Sequence, residues 1–100
     1  MAHTIRSMGK SFAWDKVKNQ KLIRERGVSF EMIMSHIEGG GVVAVATGKG
    51  KFSHQKQFIV LVNKYIYIVP FVEDEEKIFM KTIIPSRKMT KLYLLGGRLK

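Results

Sequence analysis

Three consecutive glycines, Gly39-Gly40-Gly41, divide the chain into two halves with different hydrophobic rhythm. Before them, Phe30, Ile33, Met34 and Ile37 follow the i, i+3, i+4, i+7 spacing of a helix that buries one stripe. After them, Val42 to Thr47 and Gln57 to Val62 are apolar runs rich in β-branched residues, which suit pleated strands. A chain with segregated helical and strand segments folds as an α+β protein.

The remaining elements follow from local signals. Trp14 to Arg26 reads as a first helix, with Asp15 at its acid-preferring start and Gly27 as its stop. Trp14, Val17 and Leu22 share its apolar face, with Lys21 inside the stripe, its stem packed and its ammonium in water. Ser29 caps a second helix over Phe30 to Ile37. Asn63-Lys64 turns the second strand into a third, Tyr65 to Val72, and the acidic run Glu73 to Glu76 leads into a fourth, Lys77 to Ile84. Apolar on both faces, Phe58 to Val62 is expected at the sheet centre, and Pro70, which cannot donate to a ladder, at an edge or bulge. A closing helix runs from Ser86 to Leu95. The expected architecture is a sandwich of two N-terminal helices, a four-stranded antiparallel sheet and a C-terminal helix. Residues 11–97 would form one domain, after a weakly ordered leader, 1–10, and before a basic tail, 98–100.

Composition narrows the partners. The 100 residues are 45% hydrophobic, enough for one modest core, and carry 18 Lys plus Arg against 8 Asp plus Glu. The net charge of +10 calls for an anionic partner such as nucleic acid. No cysteine is present, and His3, His36 and His54 do not have metal-ligand spacing, so neither metal nor cofactor is expected. The start lacks an apolar leader segment and no apolar run could span a bilayer, so a cytoplasmic protein without membrane contact is expected.

The strongest chemical signal lies between Lys81 and Lys91. Arg87 and Lys88 fall in the first turn of the closing helix, where the helix dipole disfavours cations unless an anion binds there. Ser86 as N-cap, Arg87, Lys88, Lys91 and the nearby Lys81 make a candidate phosphate site, with Lys56 as a further contact and Tyr93 as a proton donor. His54, in a polar segment with Lys51 and Lys56, is a candidate proton shuttle, although a lone loop histidine is more often merely exposed. These groups match metal-free RNA cleavage, which needs a base for the 2′-OH, cations for the charge on phosphorus and an acid for the leaving oxygen. The same cations also fit a solvated helix face. Gly48-Lys49-Gly50-Lys51 lacks the upstream glycine of a phosphate loop and reads as a hairpin turn. Tyr65, Tyr67 and Phe71 share a strand face that suits either base stacking or the core.

Phe12-Ala13-Trp14-Asp15, Lys18-Asn19 and Arg26-Gly27-Val28-Ser29-Phe30-Glu31 together resemble the opening of the BrnT family of bacterial toxins. Ile83-Ile84-Pro85-Ser86-Arg87-Lys88 with Thr90 resembles that family's C-terminal element before a Tyr-containing helix. Arg26 replaces the family's usual histidine, and Pro85-Ser86 its Ser-Ala pair. The resemblance implies a RelE-like fold and a type II toxin that cleaves RNA. Its partner would be a cognate antitoxin, usually a dimeric ribbon-helix-helix DNA-binding protein. It carries Arg87 over as the functional arginine, with Lys88 beside it and Tyr93 less directly. The alternative is a basic RNA-binding module without catalysis, or a degenerate toxin that retains antitoxin binding.

Overall fold

Residues 3–7, 10–47 and 56–94 are described by the computed structural model, the side chains from residue 11 to 47 and from 56 to 93. Its order is β1 (His3–Ser7), β2 (Lys10–Trp14), α1 (Lys16–Arg26), α2 (Phe30–Glu38), β3 (Val42–Thr47), β4 (Lys56–Val62), β5 (Tyr65–Glu73), β6 (Lys77–Met80), β7 (Ile84–Pro85) and α3 (Arg87–Leu94). The seven strands form one sheet in the order β1-β2-β6-β5-β4-β3, with β7 also paired to β5.

The class is α+β as expected, but the sheet is neither four-stranded nor wholly antiparallel. β3 to β6 form the expected antiparallel meander, and β2 adds to β6 in parallel, Phe12 opposite Ile78. The reason lies in Phe12 and Trp14. They alternate onto the core face, both essentially fully buried, so the chain is already a strand where a helix was expected to begin. β1, in the stretch expected to be a weakly ordered leader, pairs with the outer edge of β2 from His3 opposite Trp14 to Ser7 opposite Lys10. That pairing satisfies the backbone groups of an otherwise open edge.

Asp15 therefore caps α1 rather than sitting inside it: its carboxylate accepts from the N–H of Val17 at 2.8 Å and of Lys18 at 3.4 Å. The phase of α1 also differs from the expected one. Val17 is 74% exposed and Lys21 is exposed, whereas the inward face is Asn19 and Leu22. Gly27, at φ 71°, ends the helix in a left-handed turn and returns its N–H to the Ile23 carbonyl. Ser29 caps α2 through Met32 N–H at 3.0 Å.

One core lies between α1, α2 and the sheet. Trp14 stacks on Phe30 with centroids 5.8 Å apart, and Phe58 on Phe71 at 4.1 Å. Such pairs contribute about 0.5–1.5 kcal/mol beyond their burial. Phe58, Val60 and Val62 of β4 face this core, while Ile59, also buried, leaves from the opposite face. The central strands are β5 and β6; β4, expected at the centre, is one strand in from β3.

The fourth expected strand, Lys77 to Ile84, is interrupted. β6 stops at Met80 and β7 resumes pairing with β5 at Ile84 opposite Ile68. Pro70 explains the break. Its carbonyl accepts from Lys81 N–H at 2.8 Å, so the position where it lacks an N–H also faces this neighbour, beside the interruption and not at a sheet edge. Arg26 Nη1 donates to the Ile83 carbonyl at 2.6 Å, tying the end of α1 to the irregular segment.

Candidate functional site

α3 is fastened to β5 by its own first turn. Ser86 N–H donates to the Ile66 carbonyl at 2.9 Å, and Thr90 Oγ1 accepts from Ile66 N–H at 2.9 Å while donating to the Ser86 carbonyl at 2.7 Å. Ser86 Oγ accepts from Met89 N–H at 3.1 Å and so acts as the expected N-cap. The helix begins at Arg87, which puts Arg87 and Lys88 in its first turn with their amides lacking intrahelical partners. Arg87, Lys88 and Lys91 are all exposed, and none makes a side-chain hydrogen bond or ion pair with a described residue. Like charges at Arg87 and Lys91, one helical turn apart, repel by a few tenths of a kcal/mol, roughly. The dipole adds to that cost, and a bound anion would offset both.

Tyr93 is half-buried with Met89 and Thr90, on the packed side of α3 and away from the face that carries Arg87. The structure thus brings Arg87, Lys88 and Lys91 together and leaves Tyr93 behind them. His54 lies outside the described residues, as does the Gly48-Lys49-Gly50-Lys51 turn.

Lys56 and Lys81, the other two expected phosphate contacts, meet elsewhere. They line a cleft of about 400 Å³ at the ends of β3, β4 and β5, together with Thr47, Gln57, Pro70 and Thr82. The broken strand makes this possible: Lys81 and Thr82 belong to the irregular link between β6 and β7, held by the Pro70 carbonyl. Lys56 Nζ donates to Glu73 Oε1 at 2.8 Å, with side chains 38% and 24% exposed, a partly solvated pair contributing about 0–1 kcal/mol. Lys81 is exposed and makes no ion pair with a described residue. The link at Pro70 and the start of α3 at Ile66 are separated by four residues of β5, roughly 13 Å. The cations therefore form two groups along one strand.

Gln57, Thr47 and Thr82 escaped the reading of the sequence, because their convergence depends on the break at Met80 and on Gln57 lying opposite Pro70. The only local signal was the single amide opening an otherwise apolar run. The acidic stretch from Glu73 to Glu76 is a turn in which Asp74 Oδ1 accepts from Glu76 and Lys77 N–H, at 2.9 and 2.8 Å. Of the aromatic residues on β5, Phe71 is in the core, while Tyr65 and Tyr67 are half-buried with centroids 5.5 Å apart.

No family model, curated protein or solved structure matches the chain. Fold and site define an α+β protein with a mixed sheet, a lysine-rimmed cleft and an exposed cationic helix start. No described helix is long and apolar enough to cross a membrane.

Proposed function

We propose that this protein is a BrnT-like toxin of RelE-like type, a cytoplasmic endoribonuclease that cleaves RNA without a metal ion or cofactor. A cognate antitoxin, a dimeric ribbon-helix-helix protein, would hold it in check. The observation that carries the reading is the placement of two cation groups along β5, the Lys56 and Lys81 cleft and the Arg87, Lys88 and Lys91 face. A single RNA strand spans both through successive phosphates. Arg87 offers a planar fork that pairs with two phosphate oxygens, which suits it to the charge that builds on phosphorus.

The base that takes the 2′-OH proton is assigned to His54 or to a lysine. Tyr93, on the packed side of α3, is poorly placed to donate to the leaving oxygen of a phosphate held by Arg87. Induced expression in bacteria is expected to arrest growth, and Arg87→Ala to relieve the arrest while remaining folded. An Arg87→Ala protein as toxic as wild type would remove Arg87 from the mechanism.

The placement of Tyr93 also favours a second reading, a basic module or degenerate toxin that binds RNA or antitoxin without cutting. Steep salt-dependent RNA binding with no cleavage is the result expected from it.

A further inference from the structure

We propose that Tyr65 and Tyr67 form a stacking platform for an unpaired base of an RNA strand whose phosphate is held at Arg87, an inference that rests on the RNA reading above and adds the base contact to it. Tyr65, Tyr67, Val69 and Phe71 alternate onto one face of β5. Val69 and Phe71 are buried, at 0% and 3% exposure, whereas the two tyrosines are half-buried, so this face passes from core to surface between Val69 and Tyr67. The tyrosine rings lie 5.5 Å apart and are inclined at 60° to each other. Val60 and Val62, opposite Tyr67 and Tyr65 on β4, are buried and support the platform from beside it. Neither phenol makes a hydrogen bond with a described residue. Each ring therefore has an apolar body against the core and a polar end left to water, the balance found where aromatic side chains meet a partner.

The backbone brings Arg87 to the same end of β5. Tyr67 pairs with Pro85 of β7, Ser86 N–H reaches the Ile66 carbonyl, and Arg87 follows one residue later, level with Tyr65. On the other side of Pro85, Arg26 is held at the Ile83 carbonyl, so arginines stand before and after the Tyr67 pairing along this segment. A base and its phosphate are joined through a single ribose, and a phosphate at Arg87 leaves its base beside the neighbouring tyrosines. Stacking on a side chain requires a base that is unpaired and splayed from its neighbours, which selects a single strand over a duplex. It does not select among bases, because each has a π-face. The arginines would hold the strand and the tyrosines its base, a division of labour common in single-strand binding.

The test is binding, at one fixed salt concentration, of labelled pentamers that are 2′-O-methylated and so cannot be cut through the 2′-OH: oligo-U, oligo-A and an abasic strand with the same phosphates. The proteins are wild type, Tyr65→Leu, Tyr65→Phe, Tyr67→Leu and Tyr67→Phe, each checked for folding by its melting curve. Leucine keeps apolar bulk against the core, and phenylalanine keeps the ring. Each leucine variant is expected to bind oligo-U and oligo-A on the order of tenfold more weakly and the abasic strand as wild type does, while the phenylalanine variants match wild type throughout. Tyr67 packs against the core cluster, so Tyr65→Leu decides the matter if Tyr67→Leu does not fold. Leucine variants that bind oligo-U like wild type, a wild type that binds the abasic strand as tightly as oligo-U, or a loss shared equally by the abasic strand overturns the platform and leaves RNA binding standing. Absence of binding to every strand overturns the RNA reading itself, and this inference with it.

Discussion

Asn19, only 6% exposed, joins two helices through both ends of its amide. Its Oδ1 accepts from Phe30 N–H at 2.7 Å, satisfying an orphan donor in the first turn of α2, and its Nδ2 donates to Glu31 Oε1 at 2.8 Å. Asn19→Ala leaves the buried Phe30 N–H unpaired and is expected to lower stability by about 1–3 kcal/mol in a urea titration. A loss of a few tenths would show that the amide finds water instead. In sequence, Asn19 sits among lysines and glutamines and looks like surface. Its burial became legible only once Asp15 was fixed as the cap, because that sets which face of α1 points inward. The blocks that resemble BrnT toxins are of this kind: Phe12, Trp14 and Phe30 are core, while Asp15, Asn19 and Ser29 cap or bridge helices. They specify a fold, and only the Ser86 to Lys88 block touches the candidate site.

At the scale of elements, α2, β3, β4, β5 and α3 were legible in the sequence to within a residue or two, because each has a strong period and a stop signal. β2 was not, since a five-residue strand ending in Trp14 merges with the helix that follows. The break between β6 and β7 was hidden for another reason: Lys77 to Ile84 reads as one apolar run, and the interruption is imposed by Pro70 on the neighbouring strand. The cleft depends on that break, so Lys56 and Lys81 could be proposed singly but not as a pair. The seating of α3 gives a test at this scale. Thr90→Val keeps the shape of the side chain but removes the acceptor for Ile66 N–H, and amide exchange at Ile66 should accelerate at least tenfold, about 1.4 kcal/mol or more. Ser86→Ala removes the N-cap and is expected to cost about 1 kcal/mol. Circular dichroism should show that loss as fraying of α3, and unchanged helicity would mean that Thr90 alone seats the helix.

Across the whole molecule, a charge of +10 on 100 residues raises local anion concentration and opposes compaction, so a polyanion is expected to bind and to stabilise together. If Lys56, Lys81, Arg87, Lys88 and Lys91 each meet a phosphate of a single strand, log affinity should fall with log salt at a slope of roughly −3.5. Lys81→Ala should reduce the magnitude of that slope by about 0.7. A slope insensitive to Lys81 would place the strand elsewhere on the surface. These cations are proposed to act on RNA chemically and not merely to hold it. The most direct measurement of this is incubation of purified protein with a single-stranded RNA in EDTA, beside folded Lys81→Ala and Arg87→Ala variants. Wild type is expected to cut the RNA at discrete sites, and Arg87→Ala to cut it on the order of a hundredfold more slowly. RNA left intact by wild type, or cut equally fast by Arg87→Ala, would contradict that chemical role.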